Sequence, residues 1–153
     1  MPSLELLVFE DWTDALAASE HVPAGHEFEV DRYGPVEQLD RDRTIAYPAP
    51  SPDGQFDRVE RPDHEIALEH TLTVRTETLL DPGDTPVLEA LDPHYLWIVK
   101  ASRADPTRDG RAFDTRYQGR VFSKDDQGRP TGRMITQWEI VLYVNEDNPE
   151  VAG

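Results

Sequence analysis

The sequence predicts an α+β fold: a two-layer sandwich whose mostly antiparallel sheet of four to five strands carries helices on one face. Three observations predict it. Residues 64–78 and 134–144 alternate apolar and polar side chains with the period of strands. Residues 4–19 and 85–102 carry apolar residues at helical spacing. The order of these segments is helix, strands, helix, strands, without the regular βα alternation that builds a parallel sheet.

The first helix follows Ser3, a capping residue, and its stripe is Leu4, Leu7, Val8, Trp12, Ala15 and Leu16. Glu5, Glu10, Asp11 and Asp14 occupy mainly the other face, and Pro23 and Gly25 end the segment. Short strands are expected at 26–30 and 44–47. Residues 48–63, rich in proline and mixed charge, read as a loop too long to be a plain connector. In 64–78, Ile66, Leu68, Leu72 and Val74 alternate with Glu65, Glu69, Thr71, Thr73 and Arg75, which predicts one buried and one wet face. A turn at 79–84 contains Pro82-Gly83.

Asp84 or Thr85 then caps a helix with Pro86 at its first position and Val87, Leu88 and Leu91 as its stripe. Asp92-Pro93 repeats the start signal and predicts a kink or split. The part after it, 94–102, is strongly apolar and should be the most buried helix. After a turn at 105–110, Phe113, Thr115, Tyr117, Gly119 and Val121 alternate along 112–122. A hairpin loop, 125–132, leads to the last strand. There Met134, Thr136, Trp138, Ile140, Leu142 and Val144 share one face, while Ile135, Val141 and Tyr143 indicate partial cover on the other. The chain therefore reads as one domain, 1–144, with a flexible acidic tail, 145–153. At 153 residues it buries roughly 68–70% of its unfolded surface, enough for a core without crosslinks.

Composition narrows the function classes. The chain has no cysteine, so neither disulfides nor thiolate metal sites are available. The N-terminal residues have neither the basic n-region nor the small-residue cleavage site of a signal peptide, and none is expected. No apolar run approaches the roughly 18 residues of a membrane span, and no membrane partner is expected. The net charge is −16, and only Lys100 and Lys124 are lysines among 15 basic residues. Such a composition suits a halophilic cytoplasm, where the Debye length in molar salt is about 3 Å and self-repulsion is screened. An ordinary acidic protein of a GC-rich genome is the alternative. Either origin argues against wrapping nucleic acid, but not against a negative channel through which DNA slides.

The chain has no phosphate-binding loop, dinucleotide fingerprint, serine elbow or cysteine nucleophile, so neither catalytic residues nor a cofactor is expected. His64 and His70, with Glu65 and Glu69 nearby, invite a metal reading. Six residues of extended strand separate the two histidines by about 20 Å, so core-edge histidines are expected instead. His94 falls in the first turn of a helix, and His21 and His26 bracket a turn. The carboxylate pairs Asp125-Asp126, Asp40 with Asp42, and Asp81 with Asp84 lack the spacing of a calcium loop and read as solvated surface. Trp12 and Trp138 are expected in the core. Trp97 falls off the Tyr95, Ile98 and Val99 side of its helix and reads as an exposed interface anchor. Arg103, Arg108, Arg111, Arg116 and Arg120 form a local basic strip in an acidic chain. Such a strip either pairs with surface carboxylates of its own chain or meets the acidic face of a neighbouring copy, as a head-to-tail ring requires.

In this layout a leading helix, a short strand ending at a proline, a long loop, a long strand, a helical segment and a closing hairpin follow in order. They occupy residues 4–19, 44–48, 48–63, 64–78, 85–102 and 112–144. The pattern resembles the tail terminator proteins of long-tailed (siphovirus-like) viruses across nearly the whole chain. DTPVLEALDPHYLWIVKAS resembles the helix that packs on that family's sheet, and MITQWEIVLYV its closing strand. The helix broken at Asp92-Pro93 departs from the family's layout. The resemblance implies a non-enzymatic virion protein, made in the host cytoplasm and carried in the tail or neck. It implies a homo-hexameric ring on the last tube ring that stops tail growth. Its partners are then other copies of itself, the tail tube protein and a head-completion or connector protein, with viral DNA only as cargo passing through the lumen. The acidic composition adds a halophilic host. The other readings are a different neck or tail subunit, a small-ligand binding domain or enzyme of a halophile, and a host regulator that binds protein partners.

Overall fold

A computed structural model describes residues 2–30, 42–49, 57–60, 66–124 and 132–145. In chain order the elements are α1 (Leu4–Ala18), β1 (Glu27–Val30), β2 (Arg43–Pro48), β3 (Asp57–Glu60), β4 (Ile66–Leu80), α2 (Val87–Ala104), β5 (Asp114–Lys124) and β6 (Gly132–Asn145). The sheet runs β1-β2-β4-β6-β5, with β3 attached to β4. Only β1 and β2 are parallel; every other pair is antiparallel. The fold is the α+β two-layer sandwich that the sequence predicts. The additional strand, β3, falls within the segment read as a loop. It pairs with Ile66–Glu69, while β2 pairs with Val74–Leu79 further along the same edge of β4. The tail beyond Asn145, the hairpin loop and most of the proline-rich segment lie outside the described residues.

Helix α1 forms as its sequence dictates. The Ser3 hydroxyl accepts the Leu6 N–H at 3.2 Å, satisfying one orphan donor of the first turn. Leu4, Val8, Trp12 and Leu16 are buried, joined by Phe9. Helix α2 is continuous through Pro93, which corrects the expected split. Proline there lacks the N–H that would bond the Glu89 carbonyl. Yet Leu91, His94, Trp97, Ile98 and Ala101 form one buried stripe spanning the proline, and that burial holds a single helix together. Pro86 is the N-cap, not the first helical residue, and no side chain caps this end.

Trp97 is also corrected: it is fully buried, not an exposed anchor. Helix α2 packs on the sheet and on α1 at once, so it is buried on two sides. The Trp97 indole N–H donates to the Leu16 carbonyl of α1 at 3.1 Å, and Phe28 of β1 meets its ring edge-on at 5.7 Å. Trp12 and Trp138 are fully buried as expected. A polar seam runs beneath the helices: Thr44 to Thr78 at 2.8 Å, Thr76 to Thr136 at 2.5 Å, and the Trp138 indole N–H to Thr136 at 3.1 Å. Each buried hydroxyl thus has a partner, as burial requires.

The face of β4 expected to be wet is not. Thr73, Glu77 and Leu79 are buried there, beside Ile45, Tyr47 and Val141 of the flanking strands. Glu77 forms an ion pair with Arg133. Burial nevertheless holds its carboxyl above the usual range, against the lowering pull of Arg133. In β5 a bulge between Tyr117 and Gly119 breaks the expected alternation. Thr115 and Tyr117 lie opposite Ile140 and Trp138, on the helix side. Gly119 and Val121 lie opposite Gln137 and Ile135, on the other side. Gly119 has φ +135°, a conformation that a side chain rarely adopts, which fixes the bulge at a glycine.

Candidate interaction surface

The two edges of the sheet differ in kind. Edge strand β1 has four residues and is tied inward through Phe28 and the neighbouring His26. Edge strand β5 has 11 residues, and its outer side pairs with nothing among the described residues. Apolar side chains along it and just before it are left out: Val121 is 70% exposed, Phe122 47% and Tyr117 39%, and Phe113, the residue before the strand, 58%. A long edge strand with unpaired backbone groups and exposed apolar side chains is a template for another chain unless something blunts it. The bulge at Gly119 and the arginines Arg116 and Arg120 are the blunting devices here.

Aromatic rings extend the patch onto α2. Tyr95 lies 6.1 Å from Tyr117, and Tyr117 lies 5.1 Å from Trp138. Burial, then a hydrogen bond with Tyr95, push the Tyr117 phenol up to about 12. The Arg120 guanidinium stacks on Tyr95, 3.9 Å from the ring centre, with the Phe122 ring at 6.0 Å. An arginine on aromatic faces, ringed by exposed apolar groups, is the composition of an interface hot spot.

The five arginines read as one strip have four fates. Arg103 and Arg116 share the Asp114 carboxylate at 3.0 and 3.3 Å. Burial pushes the Asp114 carboxyl up, but the hydrogen bonds from Arg103 and Arg116 outweigh it, and the group lies below the usual range. Arg111 stands 3.6 Å from Asp109 on the connecting loop. Arg108 is no surface residue, a further correction. It is fully buried and pairs with Asp11 of α1 at 3.4 Å. It also donates to the carbonyls of Ser102 and Asp105. The loop can turn it inward because Arg108 and Asp109 adopt left-handed backbone, φ 49° and 60°. Only Arg120 belongs to the aromatic patch. Tyr95 and Phe122, its partners, carry no sequence signal of their own. Arg120 reaches both rings only once the bulge has set the register.

A second polar cluster lies beneath β1. The His26 and His94 rings sit 4.2 Å apart, with Trp97 edge-on to His26 at 6.0 Å. His26 Nε2 bonds the Thr44 hydroxyl at 2.6 Å. Burial first, and then the neighbouring His94, lower His26 to about 4. Burial lowers His94 as well, against the raising effect of Asp42. Both imidazoles are therefore neutral near pH 7. His70 lies 3.5 Å from Glu5 of α1. His64, Asp40, Asp125 and Asp126 fall outside the described residues. Asp42 and Asp81 serve turn backbone, accepting the N–H groups of Asp81 and Gly83 at 3.1 and 2.9 Å.

Among the described residues no group of three His, Asp or Glu side chains is placed to hold a metal ion. No described helix is long and apolar enough to cross a membrane. Two open grooves mark the surface. One, of about 490 Å³, lies on the sheet between Arg75, Val121, Ile135 and Gln137, and there Gln137 accepts the Arg75 Nε–H at 2.8 Å. Another, of about 410 Å³, lies between the two helices at Ala15, Ala18, Ala101 and Ala104, with Ser19, Glu20, His21 and Lys100 on its wall. There the Ser19 hydroxyl accepts the His21 backbone N–H at 3.1 Å, and the His21 ring lies 3.7 Å from Glu20. The chain matches no known protein family model and no curated protein.

Proposed function

We propose that this chain is a structural assembly subunit that joins copies of itself through the β5 edge, and specifically that it forms the tail terminator ring of a long-tailed virus. The observation that carries the reading is the uncovered 11-residue edge with its exposed Phe113, Val121 and Phe122. A monomer that kept this strand in water would have only the bulge and two arginines to prevent uncontrolled edge pairing. A ring covers such an edge on every copy, because head-to-tail contacts close when the rotation between subunits divides the circle. The layout of helix, long strands and closing hairpin supports the tail position. The net charge of −16 suits a lumen that lets DNA pass without holding it. Made in a halophilic host, such a subunit assembles where salt screens the repulsion between copies.

Light scattering on the purified chain in molar KCl tests the reading. The expected mass is that of a ring, six copies by the resemblance, and electron microscopy of a mixture with tail tubes shows caps at tube ends. Rings that ignore tube ends move the subunit to another place in the neck or tail. A monomer at every concentration and salt overturns assembly altogether.

A further inference from the structure

We infer that the Arg120 guanidinium receives a carboxylate from helix α1 of a second copy, so that the ring contact is α1 of one subunit against the β5–α2 corner of the next. This rests on the ring reading and assigns its contact. Three features carry it. First, Arg120 is held but not neutralised. Its guanidinium stacks on Tyr95 and touches the Met134 sulfur at 4.0 Å, and among the described residues it has no carboxylate partner. A guanidinium held against an aromatic ring with donors to spare can take a carboxylate from a second copy. Its planar donors are fixed by the stack, so little entropy is lost when a carboxylate binds.

Second, α1 presents a stripe that fits. Leu6, Glu10 and Asp14 recur at four-residue spacing, and all three are exposed. Glu5 and Asp11, the other acids of the helix, already face His70 and Arg108 within the chain. Glu10 and Asp14 have no cation partner among the described residues, and α1 contains no lysine or arginine. An apolar group followed by two carboxylates thus complements Phe122 followed by Arg120. Third, the two surfaces are unlike and belong to different elements: α1 meets β4 through Glu5 and His70, whereas the other surface is the corner where α2 meets β5 through Tyr95 and Tyr117. Unlike surfaces generate a head-to-tail contact, the kind that closes into rings.

The test uses the full chain and charge exchange. Arg120→Glu is expected to weaken self-association about tenfold or more, and Glu10→Arg with Asp14→Arg to do the same. Combining all three changes in one chain restores it, as does mixing the two variants, because each mismatched surface then meets its complement. Sedimentation velocity reads the association, and thermal unfolding confirms that each variant is folded. Wild-type rings that persist unchanged in the Arg120→Glu variant overturn the contact and leave the ring reading standing. So does a folded triple variant that stays monomeric. A wild-type chain that never assembles overturns both.

Discussion

Two flanks of this molecule invert the usual rule for soluble proteins. On the helix flank, polar groups are shut inside: Arg108 with Asp11, and His26 with His94. On the β5 flank, apolar groups are left outside: Phe113, Val121 and Phe122. The first flank uses buried polarity to fix how helices and edge strand sit on the sheet, since each group has few geometries that satisfy it. The second withholds apolar area from the core of its own chain. Buried polar groups and exposed apolar patches are the informative departures from the rule. Substitutions on the first flank should therefore act on folding, and those on the second on association.

The largest effect is expected at Arg108. Arg108→Ala removes the partner of Asp11 and two donors to the carbonyls of Ser102 and Asp105. Breaking such a buried pair costs about 3 kcal/mol. Burial already raises the Asp11 carboxyl even with Arg108 present, so the group left behind is poorly solvated. Chemical denaturation of the variant in molar salt should show a lower midpoint with an unchanged slope.

Acid comes next, through His26 and His94. The folded-state value of His26 is about 4 against an ordinary 6.5, so the folded form binds fewer protons than the unfolded chain between those limits. Stability is fully present above about pH 6.5 and falls as the pH drops toward 4, by about 2–3 kcal/mol after allowance for partial exposure. Thermal unfolding at pH 7 and pH 5 should show this loss, and His26→Gln should flatten the dependence.

The contrast between flanks also explains what the sequence revealed. The stripes of α1 and of β6 were legible because each element is buried on a definite face, which writes a clean period into the chain. Trp97 was misplaced because α2 is buried on two sides, where no single stripe marks the boundary. Arg108 was misread because its burial depends on a loop with two left-handed residues, and composition does not encode that turn. The phase of β5 was lost at the bulge, where one additional residue moves every later side chain to the other face. Of the aromatic patch proposed as a contact surface, the sequence showed Arg120. It did not show that Arg120 would lie on Tyr95 and near Phe122, which depends on how strand and helix pack.

A smaller folding effect is expected at Trp97→Phe. The change removes the indole N–H that satisfies the Leu16 carbonyl and leaves a small void beside Phe28, while the helix remains packed. A lost buried hydrogen bond with limited cavity formation costs about 1–2 kcal/mol. Urea denaturation of this variant should place its midpoint between those of wild type and Arg108→Ala.

The smallest effect on folding, and the clearest separation of the flanks, belongs to Val121→Thr. Val121 is 70% exposed, lies opposite Ile135 beyond the bulge, and lends little area to the core. Threonine keeps the branched shape that strands favour, so stability should change by less than about 0.5 kcal/mol. Yet the methyl removed sits on the exposed β5 edge, the surface proposed to meet a neighbour, and on that proposal each exposed apolar group there is buried only on association. Unfolding curves that superimpose on wild type, together with weaker self-association by sedimentation, are the expected pair of results. Equal loss in both measurements would mean that the β5 edge belongs to the fold's own stability, and the division between the two flanks would not hold.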